Sequence, residues 1–325
     1  MGAVYLADQQ QGPPVAIKVM SHARSAKAGL RERFEREARA LFGLQHPNIL
    51  RVFDFGVVES MPYLVMELLQ GETLDVMLER GLPGVPVALD IVAEVLSGLA
   101  FAHDHGVVHR DLKTENLFVM RSAHGGFSLK VLDFGLVKFT DDGRWGQGVQ
   151  LTAMGDVFGT PAYMSPEQSL GDPVDVRTDV YSMGVVLFEL LTGSWPFMCE
   201  DRIEMAQAHM RTAPPSLASV RPELEAHPQL NAIVQKALSK KREDRFQSAG
   251  EMLAAVERLR PPVRRPAAPE PARPTIDKSA GDRATLVLGV ARAPTLRRLK
   301  KALLVGGIAM VCVLVALAAV FALRR

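Results

Sequence analysis

The chain has 325 residues, 48% of them apolar, enough for one large domain or two ordinary ones plus appendages. Its formal charge of +2 divides unevenly: residues 1–257 carry a net −9, residues 258–301 a net +9, and Arg324 and Arg325 the remainder. The acidic body argues against nucleic acid as a partner, and the two cysteines, Cys199 and Cys312, argue against a disulfide-built secreted domain.

The chain opens Met1-Gly2-Ala3-Val4-Tyr5-Leu6-Ala7, and Val15-Ala16-Ile17-Lys18 follows. From Val4 to about Leu78 the pattern predicts short strands, among them 15–20 and 63–68, with one helix at 31–44. On that helix Phe34, Leu41 and Leu44 share an apolar face, and Glu37 falls among them. A carboxylate facing inward needs a cationic partner. From Val87 onward helices dominate, at 87–105, 178–192, 203–211, 229–239 and 248–259. Between the two regions, Leu117–Met120 and Leu129–Leu132 flank Gly125-Gly126 and predict a hairpin.

Residues 261–300 hold seven prolines among basic residues, the composition of a flexible linker. Ala302 to Leu323 is a run of twenty-two uncharged residues. As a helix it would reach about 33 Å, which predicts a membrane span. Arg297, Arg298, Lys300 and Lys301 precede it and only Arg324 and Arg325 follow, so the positive-inside bias places linker and body in the cytoplasm. The basic linker would also be drawn to anionic lipid.

The strongest chemical signal is His109-Arg110-Asp111-Leu112-Lys113-Thr114-Glu115-Asn116. Phosphoryl transfer needs a carboxylate to orient the attacking hydroxyl and a metal ligand nearby, and Asp111 and Asn116 supply both from one loop. Asp133-Phe134-Gly135 adds a second metal-binding carboxylate, and GTPAYMSPE, Gly159 to Glu167, follows. In this order and spacing the motifs resemble the eukaryotic-type (Hanks-type) protein kinases over about residues 1–259, and most closely the bacterial membrane-anchored serine/threonine kinases. The resemblance implies an α+β, bilobal protein-kinase fold: a small β-rich N-lobe lacking its first strand and a larger helical C-lobe. One C-terminal transmembrane helix is added to it. The kinase domain would cover 1–259, a Pro-rich basic juxtamembrane linker 260–301, the span 302–323, and a short tail 324–325.

The same resemblance assigns roles. Asp111 orients the hydroxyl and accepts its proton, and Lys113 neutralises developing charge. Lys18 holds the α- and β-phosphates and pairs with Glu37. Asn116 and Asp133 hold Mg2+, with Mn2+ as a substitute. Gly2, Val4 and Ala16 belong to the ATP-binding strands and loop; Met66, Glu67 and Leu69 belong to the hinge that meets adenine. Asp179 braces the catalytic loop, and Glu167 with Arg245 forms the ion pair that fixes the end of the activation segment. Arg110 receives a phosphate on Thr152 of the activation segment, while Thr160, beside the substrate platform, and Lys113 speak for serine/threonine specificity. Implied partners are protein substrates and the membrane, with a homodimer for trans-autophosphorylation; the implied location is the inner membrane, single-pass, with the kinase domain cytoplasmic.

The spacing from Gly2 to Lys18 matches that from the last glycine of the nucleotide loop to its lysine. The expectation is therefore that Met1 is an internal methionine and that a strand with two more glycines lies upstream. A rival reading is a pseudokinase or truncated kinase acting as a membrane-tethered binding scaffold, on the strength of the half-loop. A small-molecule kinase is disfavoured by GTPAYMSPE, which resembles a platform for peptide substrates.

Overall fold

The computed structural model describes residues 3–9, 12–20, 30–58, 61–121, 126–134, 161–199, 201–260 and 291–292, without the side chains of 30–33, 37, 121 and 291–292. The N-terminal lobe is a twisted antiparallel sheet. Strands β1 (Ala3–Ala7) and β2 (Val15–Val19) pair in register Val4↔Lys18, and β2 pairs on its other side with a strand at Met61–Glu67 in register Ala16↔Met66. The strand Val52–Val58 completes that side, so these last two become β4 and β3 in chain order. Helix α1 (Leu30–Phe42) covers the sheet by burying Phe34, Ala38 and Leu41, the face expected from the apolar spacing.

The second lobe begins with β5 (Glu72–Thr73), α2 (Leu74–Glu79) and α3 (Val85–Asp104). Helix α3 is long and apolar enough to cross a membrane, but residues along its whole length, from Ala88 to Ala102, are buried, which makes it the central core helix of this lobe. The hairpin β6 (Leu117–Arg121) and β7 (Phe127–Val131) lies beside β5. There follow α4 (Pro166–Leu170), α5 (Val176–Thr192), α6 (Arg202–Arg211), α7 (Leu217–Val220), α8 (Pro228–Ala237) and α9 (Ala249–Glu257). Their ends are chemically marked. Ser165 and Gln168 form a reciprocal capping box at α4, Asp175 caps α5, and Gly193 ends α5 at a φ of 78°, where a side chain would be strained.

The lobes are joined by backbone. Leu50 N–H donates to Val131 O at 3.0 Å and Val131 N–H to Asn48 O at 2.8 Å, which locks the segment after α1 onto β7. Asn48 Nδ2 also donates to Glu94 on α3, and the same carboxylate accepts from Leu129 N–H.

The five helices expected beyond Val87 form as α3, α5, α6, α8 and α9. A strand β8 (Ala291–Arg292) lies parallel to Tyr5–Leu6 at the edge of β1, inside the stretch read as linker. An edge strand exposes unpaired N–H and C=O groups that any extended segment can satisfy, so this pairing needs no distinctive composition. The other residues of the linker from 261 on, the span 302–323 and the tail lie outside the described residues.

One buried pair holds the second lobe together. Arg245 donates Nη1–H and Nη2–H to the two oxygens of Glu167 at 2.9 and 2.8 Å. Its remaining donors reach Ser239 O, Arg177 O and Lys240 O, so all five N–H groups are used. Burial by itself would raise the Glu167 carboxyl, but the hydrogen bonds and charge of Arg245, with Thr178 Oγ1–H, outweigh it and hold the group below its ordinary range. Arg245→Lys keeps the charge but cannot fill five acceptors, and should lower unfolding stability by about 3–5 kcal/mol in urea titration. The wild-type contribution from Glu167 should be full above its unfolded value of 4.5 and vanish as pH falls through the depressed folded value.

Candidate active site

The catalytic loop between α3 and β6 hangs on Asp179 in the first turn of α5. This carboxylate is fully buried and accepts His109 N–H and Arg110 N–H, each at 2.8 Å, and meets His103 Nε2 at 2.8 Å. Burial pushes the Asp179 carboxyl up, yet the hydrogen bond and charge of His103, with the His109 N–H, push it further down, so it is held below the usual range. The grip allows Arg110 a φ of 65°, a left-handed conformation that costs a non-glycine residue energy.

The His109 ring is spoken for on both sides. Nδ1 accepts Asp111 N–H at 3.2 Å, so the ring proton sits on Nε2, which donates to Leu132 O at 2.8 Å. The ring also packs 4.7 Å from that of Phe134. Asp111 is thereby tied to the strand end that carries Asp133. Asn116 closes the loop: its Nδ2 donates to Asp111 O at 2.7 Å and reaches Asp111 Oδ2 at 3.3 Å, and its carbonyl accepts Leu132 N–H at 2.8 Å.

Lys18 reaches this cluster from the other lobe. Its ammonium lies 2.6 Å from both oxygens of Asp133, whose φ of 49° is the second left-handed non-glycine residue among those described. The sequence reading gave Lys18 the partner Glu37; the described contact is with Asp133, while the Glu37 side chain lies outside the described residues. Gly2, Gly135, Thr152 and Thr160 lie outside them too. Val4, Ala16, Lys18, Met66 and Glu67 occupy paired positions on β1, β2 and β4, and Leu69 follows the last strand. Lys113 stands two residues past Asp111, its ammonium 4.0 Å from Glu115.

The residues fit a divalent cation. Asn116 Nδ2 is committed to Asp111, which leaves the amide oxygen as a ligand, and the Asp133 carboxylate already faces a cation. Two hard oxygen donors from adjoining segments suit Mg2+, which keeps several waters and takes the rest of its shell from phosphate.

Several contacts at the site carry no local sequence signal. His103 ends α3 far from Asp179 in sequence. Glu67 of the hinge is held by Lys130 at 2.6 Å and by Arg51 N–H at 2.7 Å. Beneath the loop, Tyr163 Oη–H donates to Glu189 Oε2 at 2.6 Å, with Trp195 Nε1–H and Thr114 Oγ1 at 3.1 and 2.9 Å from the phenol oxygen. Tyr163 and Thr114 lie in the motifs GTPAYMSPE and His109–Asn116, but neither motif points to Glu189 or Trp195.

With this geometry in place, comparison with known proteins is direct. The family profile described as protein kinase domain matches residues 1–256. The chain is 39% identical over 257 residues to the serine/threonine-protein kinase pkn2 of Myxococcus xanthus, covering 79% of this chain and 30% of that one. It is 38% identical over 267 residues to PknB of Mycolicibacterium smegmatis, covering 80% and 41%. The chain thus spans less than half the length of these relatives. Among solved structures, the PknI kinase domain of Mycobacterium tuberculosis superposes with a TM-score of 0.61 at 28% identity, covering 79% of this chain and 91% of that one.

Glu189 yields a pH test. Burial first, then the like charges of Glu115 and Asp75, carry its carboxyl from the ordinary 4.5 to about 7, against the pull of the Tyr163 and Trp195 hydrogen bonds. A group that binds its proton more tightly folded than unfolded stabilises the fold most at low pH. Wild-type stability should therefore fall as pH rises from about 5 to about 7 on this account. Glu189→Gln should flatten that slope in urea titrations run across the interval.

Proposed function

This chain belongs to the protein kinase family, and from that premise we propose that it is a serine/threonine protein kinase of the bacterial Hanks type, passing the γ-phosphoryl group of ATP to hydroxyls of protein substrates. The observation that carries the proposal is the pair of junctions at the site: Asp111 to Asn116 within one loop, and Lys18 to Asp133 between the lobes. Asp111, held by backbone and by Asn116, orients the substrate hydroxyl and accepts its proton as the new O–P bond forms and the bond from the γ-phosphorus to the departing ADP breaks. Lys113 offsets charge on the transferring group. Lys18 would take the α- and β-phosphates, and Asn116 and Asp133 would hold the metal, whose charge would offset that of the phosphate oxygens. Catalysis of this kind is mostly positioning and electrostatics.

The proposal extends to the membrane. The apolar run 302–323, with four basic residues just before it, supports a single span that tethers a cytoplasmic kinase beside anionic lipid. Thr152 is the proposed site of activating autophosphorylation, in trans within a homodimer. Arg110, next to Asp111, is its proposed receptor; a phosphate adds about −1.5 to −2 charges and three acceptor oxygens.

Asp111→Asn should lower phosphate transfer to serine and threonine by about 10²–10⁴-fold in a radiolabel assay with magnesium and ATP, the range of a lost general base. Equal rates for the two proteins would end the kinase reading. For the tether, protease added outside intact cells should leave the kinase body whole, and digestion there would reverse the orientation.

A further inference from the structure

The catalytic loop is fastened to the segment 161–170 at two points, one on each side of Asp111 and Lys113. Ahead of them, Gln168 Nε2–H donates to Arg110 O at 2.8 Å. Behind them, Thr114 Oγ1 lies 2.9 Å from Tyr163 Oη. Thr114 is 1% exposed, so its hydroxyl has no recourse to solvent.

Hydrogen accounting fixes the sense of the second bond. A phenol has one proton and two acceptor lone pairs. The proton goes to Glu189 at 2.6 Å, the shortest contact, and one lone pair takes the indole N–H of Trp195, which can only donate. The remaining lone pair takes the Thr114 hydroxyl proton. The other described neighbour of that hydroxyl, Glu115 Oε2, stands at 3.5 Å, the limit of a hydrogen bond. The phenol oxygen is then saturated, and Glu189 and Trp195 anchor it to α5 and the turn beyond.

Building on the kinase reading above, we infer that Thr114 is a positioning residue: its hydroxyl, with Gln168, clamps the stretch Arg110–Thr114 to the segment that carries the protein substrate, and so sets Asp111 in register with the incoming hydroxyl. The clamp acts on the relation between loop and platform. The nucleotide contacts proposed for β2 and the hinge come from elements that neither clamp bond touches.

Thr114→Val keeps the shape and removes the donor, and Thr114→Ser keeps the donor. With a peptide substrate, Thr114→Val should lower kcat about tenfold while KM for ATP moves less than about twofold, and Thr114→Ser should recover most of the loss. The indole N–H resonance of Trp195 and the backbone amide resonance of Asp111 should shift in Thr114→Val and return in Thr114→Ser. Gln168→Leu should give the same kinetic split from the other end of the clamp, and stands in if Thr114→Val fails to fold. Equal kcat in wild type and Thr114→Val, or equal loss in the serine and valine variants, would overturn the inference. If the wild-type protein transfers no phosphate, the kinase reading fails instead, and the resonances still decide: an unmoved Asp111 amide in Thr114→Val shows that the hydroxyl does not position the loop.

Discussion

The arrangement around the active loop depends on one buried carboxylate. Asp179 is removed from solvent inside the helical lobe, where an unpartnered charge would be prohibitively unfavourable. It is tolerated because two consecutive backbone N–H groups and a histidine point at it. Those donors come from α3 and from the catalytic loop, while the acceptor sits on α5. Satisfying one charge therefore sets three elements against one another. The left-handed backbone at Arg110 is the local expense of bringing both N–H groups to a single carboxylate.

A second polar assembly repeats the logic deeper in the lobe. Arg245 gathers Glu167, Arg177 O, Ser239 O and Lys240 O, so the start of α4, the first turn of α5 and the approach to α9 share one guanidinium. Apolar packing alone would let these elements slide by a fraction of a turn. A planar fork with five fixed directions does not permit that.

Much of the chemistry was legible in the sequence because phosphoryl transfer draws its key groups from short motifs. Asp111, Asn116 and Asp133 sit within two stretches whose spacing is local, at either end of the β6–β7 hairpin that the apolar runs predict. What was not legible is the long-range hydrogen bonding. Nothing near His103 announces Asp179 as its partner, and nothing near Lys130 announces Glu67. The Tyr163–Glu189–Trp195 cluster joins residues that read separately as a motif tyrosine, a helix acid and a loop aromatic. Such partners are fixed by the fold, which the periodicity of any one segment does not encode. The short strand β8 was missed for a related reason: pairing at a sheet edge is decided by the edge it meets.

The contact between Lys18 and Asp133 bears on how the site fills. These two groups neutralise each other, although the proposed function gives one to phosphate and the other to metal. A cation that took Asp133 alone would part the ammonium from this partner, and a nucleotide that took Lys18 alone would part the carboxylate from its own. When both arrive, the old pair is exchanged for two new ones and no charge is left without a partner. Each ligand thus lowers the free energy of admitting the other, by the same amount in either order, because such coupling is reciprocal. On those roles the ion pair would favour entry of the metal–nucleotide complex over entry of either component.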